Sequence, residues 1–439
     1  MIKSNFRGLS GVLFLTVIFL VVVVVTTVCA ENRNPTPIDK HQTKLFGAPN
    51  SDTYGNSIAI DSAGNCYSTG YTYGNLDGEI KTGYTDTYIV KYNKNAKKQW
   101  TKLLGAAESS TYGQGIAIDS AGNCYITGYT EGNLDGQIKT GKGDAFIAKY
   151  DRNGNKQWTN LLGVAKRHTD GRDIVIDSAG NAYITGTTEG NLDGEIKTGE
   201  ADAFIVKYDT NGNKQWTKLL GATGSYAAGN DIAIDSAGNC YITGWTDGNF
   251  DGQTKAGYID AFIVKCDRNG NKQWTKLLGA AESSNYGNGI VIDSAGNCYI
   301  TGEIDRESTI GDIDAFIVKY DTNGNKQWMK LLGVAKRHID GKGIAIDSVG
   351  NCYITGDIGG NRDRQTKIVK WDAFIVKYDA NGNKQWMKLF GAPQNDTHAE
   401  GIAIDRIGNW YITGYTNGDL DGQKLTGTED AFIISKVNP

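Results

Sequence analysis

Residues 115–128 read GIAIDSAGNCYITG, and residues 144–162 read DAFIAKYDRNGNKQWTNLL. These two segments contain four short runs rich in Ile, Tyr, Phe and Trp, which are typical of β-strands. The connecting segments 120–123 and 151–155 supply the Asn and Gly residues that tight antiparallel turns require. No segment of the chain has a helical period, so the stretch predicts four antiparallel strands joined by turns.

This stretch recurs along the chain with a nearly constant period. Successive copies of the Tyr in the G-N-x-Y pattern are 58 residues apart, except for the fifth spacing, which is 54 residues. The seven positions are Tyr67, Tyr125, Tyr183, Tyr241, Tyr299, Tyr353 and Tyr411. Seven copies of a four-stranded antiparallel unit predict a seven-bladed β-propeller.

The outermost strand of the last copy is missing from the C-terminus. The Q-W pair recurs six times, from Trp100 to Trp386, and a seventh copy would lie beyond the end of the chain. Residues 42–47 read QTKLFG and resemble WTKLLG at 100–105. We therefore predict an all-β propeller over residues 42–439 whose last blade is closed by the N-terminal strand, because closure removes exposed sheet edges.

The repeat DAFIVKYDxNGNKQWxKLLG, followed by GIAIDSAGNxYITGYT, resembles the bacterial seven-bladed β-propeller repeat family, the SBBP repeats. The resemblance covers residues 42–437. It implies the propeller fold and an exported, often cell-surface, setting. It implies no defined reaction.

Composition excludes several classes of protein. The chain has 58 Gly and only 5 Pro, with 39% hydrophobic residues, which excludes collagen and a disordered chain. The formal net charge is −4, and the charged residues are of mixed sign, so a nucleic-acid partner is not expected.

The N-terminus has the features of an export signal. Lys3 and Arg7 precede an apolar run over residues 12–25, and Val28-Cys29-Ala30 resembles a cleavage site. We interpret residues 1–30 as a signal peptide and 31–41 as a linker, which predicts a secreted or cell-surface protein. Two alternatives stay open, an uncleaved membrane anchor over residues 12–28 and lipidation at Cys29. Any membrane contact would be made through these residues.

Five cysteines occupy one repeated position, Cys66, Cys124, Cys240, Cys298 and Cys352. Equivalent positions of neighbouring repeats are usually too far apart for a disulfide, so we expect buried free thiols. Cys266, at a position otherwise held by Tyr, is expected to behave in the same way. No Cys or His spacing of a metal site occurs, and we predict neither a metal nor a cofactor.

The order of the strands predicts which face of the propeller binds. The GIAID strand would line the central channel, and the QWTKLL strand would be outermost. Both short turns then lie on one face, while the long connections, such as 106–114 and 129–143, lie on the other. Binding residues favour loops on a rigid scaffold, so we place the binding site on the long-loop face.

The residue after Y-I-T-G differs between copies. The series is Tyr71, Tyr129, Thr187, Trp245, Glu303, Asp357 and Tyr415. The aromatic members, Tyr71, Tyr129, Trp245 and Tyr415, could stack on sugar rings or anchor a protein partner. Alternatively they pack between blades. The two acidic members lie in the copies with the most divergent loops, which predicts a ligand bound off the central axis.

Two basic clusters lie in the crossing loops of the third and sixth copies. They are Lys166, Arg167 and His168, and Lys336, Arg337 and His338. These side chains could bind the acidic groups of a glycan by charge-assisted hydrogen bonds. Alternatively they are duplicated, solvated loop residues.

Other repeated motifs have simpler interpretations. We interpret the D-x-N-G-N and N-L-D-G segments as turns rather than calcium loops, and the Asp of D-A-F as an acceptor for backbone amides. None of the four histidines lies beside a G-x-S-x-G segment or in an H-E-x-x-H motif, so no catalytic residue is predicted.

We therefore predict a monomeric, non-catalytic binding or adhesion module for a glycan or an extracellular protein. The alternatives are a secreted carbohydrate-active enzyme of propeller fold and a purely structural envelope protein.

Overall fold

Twenty-eight β-strands make up the computed structural model, which describes residues 41–306, 313–334, 337–360 and 370–436. None of these residues forms a helix, and hence none forms an apolar helix that could span a membrane. Residues 1–30, with the segment 12–28 and Cys29, and all but the last residue of the linker 31–41 lie outside the described residues.

The strands form seven units of four, which we number along the chain. The first strands are β2 (Thr53–Ile60), β6 (Thr111–Ile118), β10 (Thr169–Ile176), β14 (Ala227–Ile234), β18 (Ser283–Ile292), β22 (His338–Ile346) and β26 (Thr397–Ile404). The second strands are β3 (Cys66–Thr72), β7 (Cys124–Thr130), β11 (Ala182–Thr188), β15 (Cys240–Thr246), β19 (Cys298–Arg306), β23 (Cys352–Gly359) and β27 (Trp410–Thr416). The third strands are β4 (Asp86–Tyr92), β8 (Asp144–Tyr150), β12 (Asp202–Tyr208), β16 (Asp260–Cys266), β20 (Ile313–Tyr320), β24 (Trp371–Tyr378) and β28 (Asp430–Lys436). The fourth strands are β5 (Lys98–Leu104), β9 (Lys156–Leu162), β13 (Lys214–Leu220), β17 (Lys272–Leu278), β21 (Lys326–Leu332), β25 (Lys384–Phe390) and, in the seventh unit, β1 (His41–Phe46).

Each unit is an antiparallel sheet in the order first, second, third and fourth strand. The sheets of units five and six are joined by one parallel pairing, between Ile313 and His338. In the seventh unit β1 pairs antiparallel with β28, from His41 opposite Lys436 to Phe46 opposite Ala431.

The core lies between neighbouring units. Tyr67 of the first unit, for example, packs in one cluster with Ile116 and Phe146 of the second. Phe46 on β1 packs edge-on against Tyr88 of the first unit, with ring centroids 5.5 Å apart. The strand β1 therefore contacts both its own unit and the first one.

The Asp of D-A-F has the predicted role in five units. Asp144, for example, accepts hydrogen bonds from the amides of Thr140 and Gly141, each 2.7 Å long. The equivalent residues are Asp86, Asp202, Asp260 and Asp430.

In the fifth and sixth units this carboxylate has a cationic partner. Asp314 pairs with Arg306 at 3.0 Å, and Asp372 pairs with Lys370 at 2.8 Å.

The D-x-N-G-N segments are turns, since Asp151 accepts hydrogen bonds from the backbone amides of Asn153 and Asn155.

A β-bulge interrupts the first strand of every unit and positions the candidate site. In β6 the register shifts between Gly113 and Gly115, which leaves Gln114 unpaired in the ladder. A bulge of this kind turns the extra side chain out of the sheet. The seven bulged residues, here called the bulge ring, are Asn56, Gln114, Arg172, Asn230, Asn288, Lys342 and Glu400. All of them line one cavity, and every first strand contributes residues to its lining.

Candidate ligand-binding site

Aromatic side chains at one mouth of this cavity contact one another in a continuous series. The residue that precedes each bulge by two lies opposite the residue after Y-I-T-G on the second strand. Tyr54 thus pairs with Tyr71, Tyr112 with Tyr129, and His398 with Tyr415. These positions lie where the first strands begin and the second strands end, which is the long-loop face.

The rings of these pairs stack, and neighbouring pairs meet edge to face. Centroid distances are 4.9 Å within Tyr54–Tyr71, 4.9 Å within Tyr112–Tyr129 and 5.1 Å between Tyr71 and Tyr112. The series extends through Tyr415, 4.8 Å from Tyr54, to the sixth unit. We call the series the aromatic arc. In order its members are His338, Trp371, His398, Tyr415, Tyr54, Tyr71, Tyr112 and Tyr129.

The structure brings together three of the four aromatic residues selected from the sequence. Tyr71, Tyr129 and Tyr415 belong to the arc, whereas Trp245 faces Ala228 across the strands and contacts Tyr286, with centroids 6.0 Å apart. Sequence reasoning missed their cross-strand partners. The signal was available, because these residues recur at a fixed distance before GIAID.

A polar cavity of about 570 Å³ lies beside the end of the arc. Tyr129, Asp170 and Arg172 line one part of it, and Lys342 and Glu400 line another. Bulge-ring amides complete its walls, from Gln114, Asn230 and Asn288. This lining offers hydrogen-bond donors and acceptors next to the half-buried ring of Tyr129.

The bulge-ring residues hold one another in place across the units. The Arg172 guanidinium donates to the Asn230 amide oxygen at 2.5 Å, and the Asn230 amide donates to the Gly287 carbonyl at 2.9 Å. Asn288 in turn donates to the Gly341 carbonyl at 3.0 Å. The cavity wall is therefore built from hydrogen bonds between neighbouring repeats.

Charged groups gather at the other end of the arc. Lys342 Nζ lies 2.7 Å from Asp357 Oδ2 and 2.6 Å from Glu400 Oε1. His398 Nδ1 lies 2.8 Å from the same oxygen of Asp357, whose side chain is 3% exposed. These carboxylates hold the pKa of Lys342 above its ordinary value, although burial acts to lower it.

A second cluster joins His338, Asp340 and Glu303. His338 Nε2 pairs with Asp340 Oδ1, and the carboxyl of Glu303 hydrogen-bonds Asp340. Burial, together with this hydrogen bond, raises the pKa of Glu303 to about 9. Burial also acts to raise the pKa of Asp340, but hydrogen bonds with His338 and Glu303 outweigh it and lower that pKa. Glu303 therefore holds a proton at neutral pH, and Asp340 is ionised.

Potential metal ligands occur in the same place. One ligand atom from each of Glu303, His338 and Asp340 lies within 4.8 Å of the others. Among the described residues, this is where a cation would find an imidazole and two carboxylates together. The sequence pattern did not point to this set, because its members come from two different repeats.

The basic clusters do not form two equivalent patches. Arg167 lines a small cavity with the acidic Glu189 and Glu200, and the backbone amide of His168 donates to Glu189 at 3.3 Å. Lys166 is exposed and has a positive φ.

In the sixth unit His338 belongs to the aromatic arc, and Arg337 is exposed. Lys336 lies outside the described residues. The shared VAKRH segment thus has different surroundings in the two repeats.

We expect Glu303→Gln to stabilise the protein at alkaline pH. A raised carboxyl pKa means that folding is favoured by the bound proton, so stability falls as pH rises from about 4.5 towards 9. Glutamine keeps the donated hydrogen bond without titrating. The unfolding free energy of the Glu303→Gln variant at pH 8 should exceed that of the parent protein by about 1 kcal/mol or more.

Urea unfolding at pH 4 and pH 8 checks this prediction. At pH 4 both states of the parent bind the proton, so the two proteins should differ little. Equal stabilities at pH 8 would contradict the shared proton between Glu303 and Asp340.

The chain matches a known repeat family along most of its length. The family described as "Beta-propeller repeat" (SBBP) matches residues 43–77, 99–135, 157–193, 215–251, 273–306, 327–362 and 385–421. These segments cover more than half of the chain.

Two other proteins are similar in sequence to this chain. The chain is 24% identical over 444 residues to an uncharacterized WD repeat-containing protein, L264, of Acanthamoeba polyphaga mimivirus, covering 76% of this chain and 32% of that protein. It is 23% identical over 360 residues to the regulatory protein FlaEY of Caulobacter vibrioides, covering 70% of this chain and 36% of that protein. The chain thus spans about a third of the length of these relatives.

Solved structures show a more distant similarity. A polysaccharide lyase, PL25 ulvan lyase, has a TM-score of 0.48 at 14% identity, covering 89% of this chain and 95% of that chain. A gluconolactonase of Xanthomonas campestris, XC5397, has a TM-score of 0.38 at 12% identity, covering 89% and 98%. Similarity at this level does not extend to function. The family match, by contrast, recurs in each of the seven units, and the chain belongs to the SBBP beta-propeller repeat family.

Proposed function

We propose that this chain is an exported binding module that holds an uncharged glycan on the aromatic arc, beside the polar cavity. The observation that carries the proposal is the unbroken contact of rings from His338 to Tyr129 next to that cavity. Sugar rings present C–H faces that stack on aromatic rings, and their hydroxyls pair with amides and carboxylates.

The charges of the site favour a neutral ligand. Lys342 is already paired with Asp357 and Glu400, and Arg172 is bonded to Asn230 and lies near Asp170. An acidic glycan would have to displace these partners, which costs free energy for buried charges. A neutral sugar can bind to the existing hydrogen-bonding groups.

Export rests on residues 1–30, which we propose act as a signal peptide. The module would then be secreted or displayed at the cell surface, as a monomer. The mass of the protein isolated from its native host tests this proposal. A chain that retains residues 12–28 or carries a lipid at Cys29 would instead be membrane-anchored.

An array of neutral, uronic-acid-containing and sulfated oligosaccharides tests the proposed ligand class. We expect Tyr71→Ala and Tyr129→Ala to weaken binding of the captured neutral oligosaccharide at least about tenfold, equivalent to about 1.4 kcal/mol. Trp245→Ala is the matched control, since it occupies the equivalent position outside the arc and should leave affinity unchanged.

Unfolding temperatures of the three variants would show that each one folds. Binding that depends on Trp245 but not on Tyr71 or Tyr129 would contradict the arc as the site. Absence of any glycan binding would favour a structural envelope role.

A second candidate function is a carbohydrate-active enzyme. The observation that favours it is a pair of His–Asp dyads, His338 with Asp340 and His398 with Asp357, on either side of Trp371. A carboxylate that orients an imidazole is a common arrangement for general acid–base chemistry. Release of products from the bound glycan, lost in His398→Ala, would support the enzyme over the binding module.

We also propose that the seven units close into a seven-bladed propeller, with β1 as the outermost strand of the last blade. The pairing of β1 with β28 supports this arrangement, as does the contact of Phe46 with the first unit. Ser68 of the first unit also lies 3.0 Å from Thr413 of the last one, between their hydroxyl oxygens.

A further inference from the structure

Two cysteines of the fourth unit face each other across neighbouring strands. Cys240 is the first residue of β15, and Cys266 is the last residue of β16. The antiparallel register places them directly opposite each other. Both side chains are buried, with exposures of 0% and 1%.

The described residues contain this arrangement in the fourth unit alone. In four other units the equivalent cysteine faces a tyrosine. These pairs are Cys66–Tyr92, Cys124–Tyr150, Cys298–Tyr320 and Cys352–Tyr378. In the third unit Ala182 faces Tyr208. Cys240 and Cys266 belong to one repeat, so the distance between equivalent positions of different repeats does not separate them.

The geometry suits a covalent bond. Directly opposed residues of an antiparallel pair have Cα atoms about 4.5–5.5 Å apart. Disulfides join Cα atoms separated by about 4.4–6.8 Å. The two side chains are also close enough for Cys266 to influence the ionisation of Cys240. The strands would not have to move apart or shift register to be joined.

We propose that Cys240 and Cys266 form a cross-strand disulfide when the chain folds in an oxidising environment. The thiolate of one cysteine attacks a sulfur of a small-molecule or protein disulfide and releases one thiol. The second thiolate then attacks the mixed disulfide and releases the other thiol. The two cysteines lose two electrons and two protons, and the donor disulfide gains them as two thiols.

Burial indicates when the bond would form. The neighbouring side chain of Cys266 and the loss of solvent raise the pKa of Cys240, so the thiolate is scarce in the folded protein. Exchange would therefore occur before the two units flanking β15 and β16 cover the pair. For the same reason, the finished bond would be protected from reductants in solution.

The bond would also close the β15–β16 hairpin with its long connecting loop. A cross-link stabilises a fold mainly by restricting the unfolded chain. We expect a higher unfolding temperature for the oxidised protein than for the reduced one. This inference is independent of the proposed glycan site.

Thiol counting tests the proposal on the full chain. The protein is refolded from denaturant in a mixture of oxidised and reduced glutathione, denatured again, alkylated and weighed intact. We expect two fewer alkylated thiols than in a fully reduced sample. Trypsin cuts after Lys218, Lys255, Lys265 and Arg268, so the bond should join peptide 219–255 to the tripeptide 266–268.

Two variants serve as controls. Cys266→Tyr restores the residue of the other repeats, and all its remaining thiols should stay alkylatable. Tyr150→Cys places a second cysteine opposite Cys124, and two further thiols should be lost. The proposal is overturned if the refolded parent retains every thiol, or if its linked peptides contain cysteines other than 240 and 266.

Discussion

Deletion of β1, residues 41–46, should lower the free energy of unfolding by about 4 kcal/mol or more, on the scale of losing a buried Phe side chain. Phe46 is 4% exposed and packs against Tyr88 of the first unit, while Leu45 packs against the core between the sixth and last units. The deletion would also leave β28 as an unpaired edge, which favours association between chains. Thermal and urea unfolding measure the loss.

A peptide of residues 40–48 provides the matched control. Added to the truncated protein, it should pair with β28 and restore much of the lost stability, whereas the same peptide with Phe46→Ala should restore less. A truncated chain that unfolds at the temperature of the full chain would show that β1 does not close the last unit.

Lys342→Met should destabilise the protein by about 3 kcal/mol, because it removes the cation from Asp357, whose side chain is only 3% exposed, and leaves that charge uncompensated. Met retains most of the volume of Lys, so no large cavity would form. The loss of stability would come from the carboxylates of Asp357 and Glu400, which would lack their cationic partner. Urea unfolding of the parent and of the variant at pH 7 measures the loss.

Lys102→Met is the control for this variant. Lys102 pairs with Glu79 at 2.8 Å, but both side chains are 37% exposed, and such surface pairs contribute about 1 kcal/mol or less. Adding Asp357→Asn and Glu400→Gln to Lys342→Met should recover stability. Equal effects of the two single lysine variants would contradict a stabilising role of Lys342 beside the buried Asp357.

Much of the architecture was predictable because it depends on local chemistry. The turn at 151–155, the acceptor role of Asp144 and the order of strands within a unit follow from residue types at fixed spacing. The same pattern predicted which strand lines the cavity. The same residue types recur at equivalent positions in the seven units, which makes the pattern conspicuous.

The candidate site was only partly predictable. Tyr71, Tyr129 and Tyr415 were recognised because they follow a conspicuous motif, but Tyr54 and His398 were not. Their role depends on cross-strand pairing and on rings that meet between units. Trp245, from the same sequence position, has no such neighbour in the arc.

The period, the strands and the turns of this protein are determined by its sequence alone, because hydrophobic alternation and turn propensities act over a few residues. The tertiary structure decides what lies together across units. A single bulge in each first strand turns residues such as Lys342 into the cavity, and strand register places Cys266 opposite Cys240. These contacts join residues from different strands, most of them on different repeats, so their geometry exists only once neighbouring strands and units pack together.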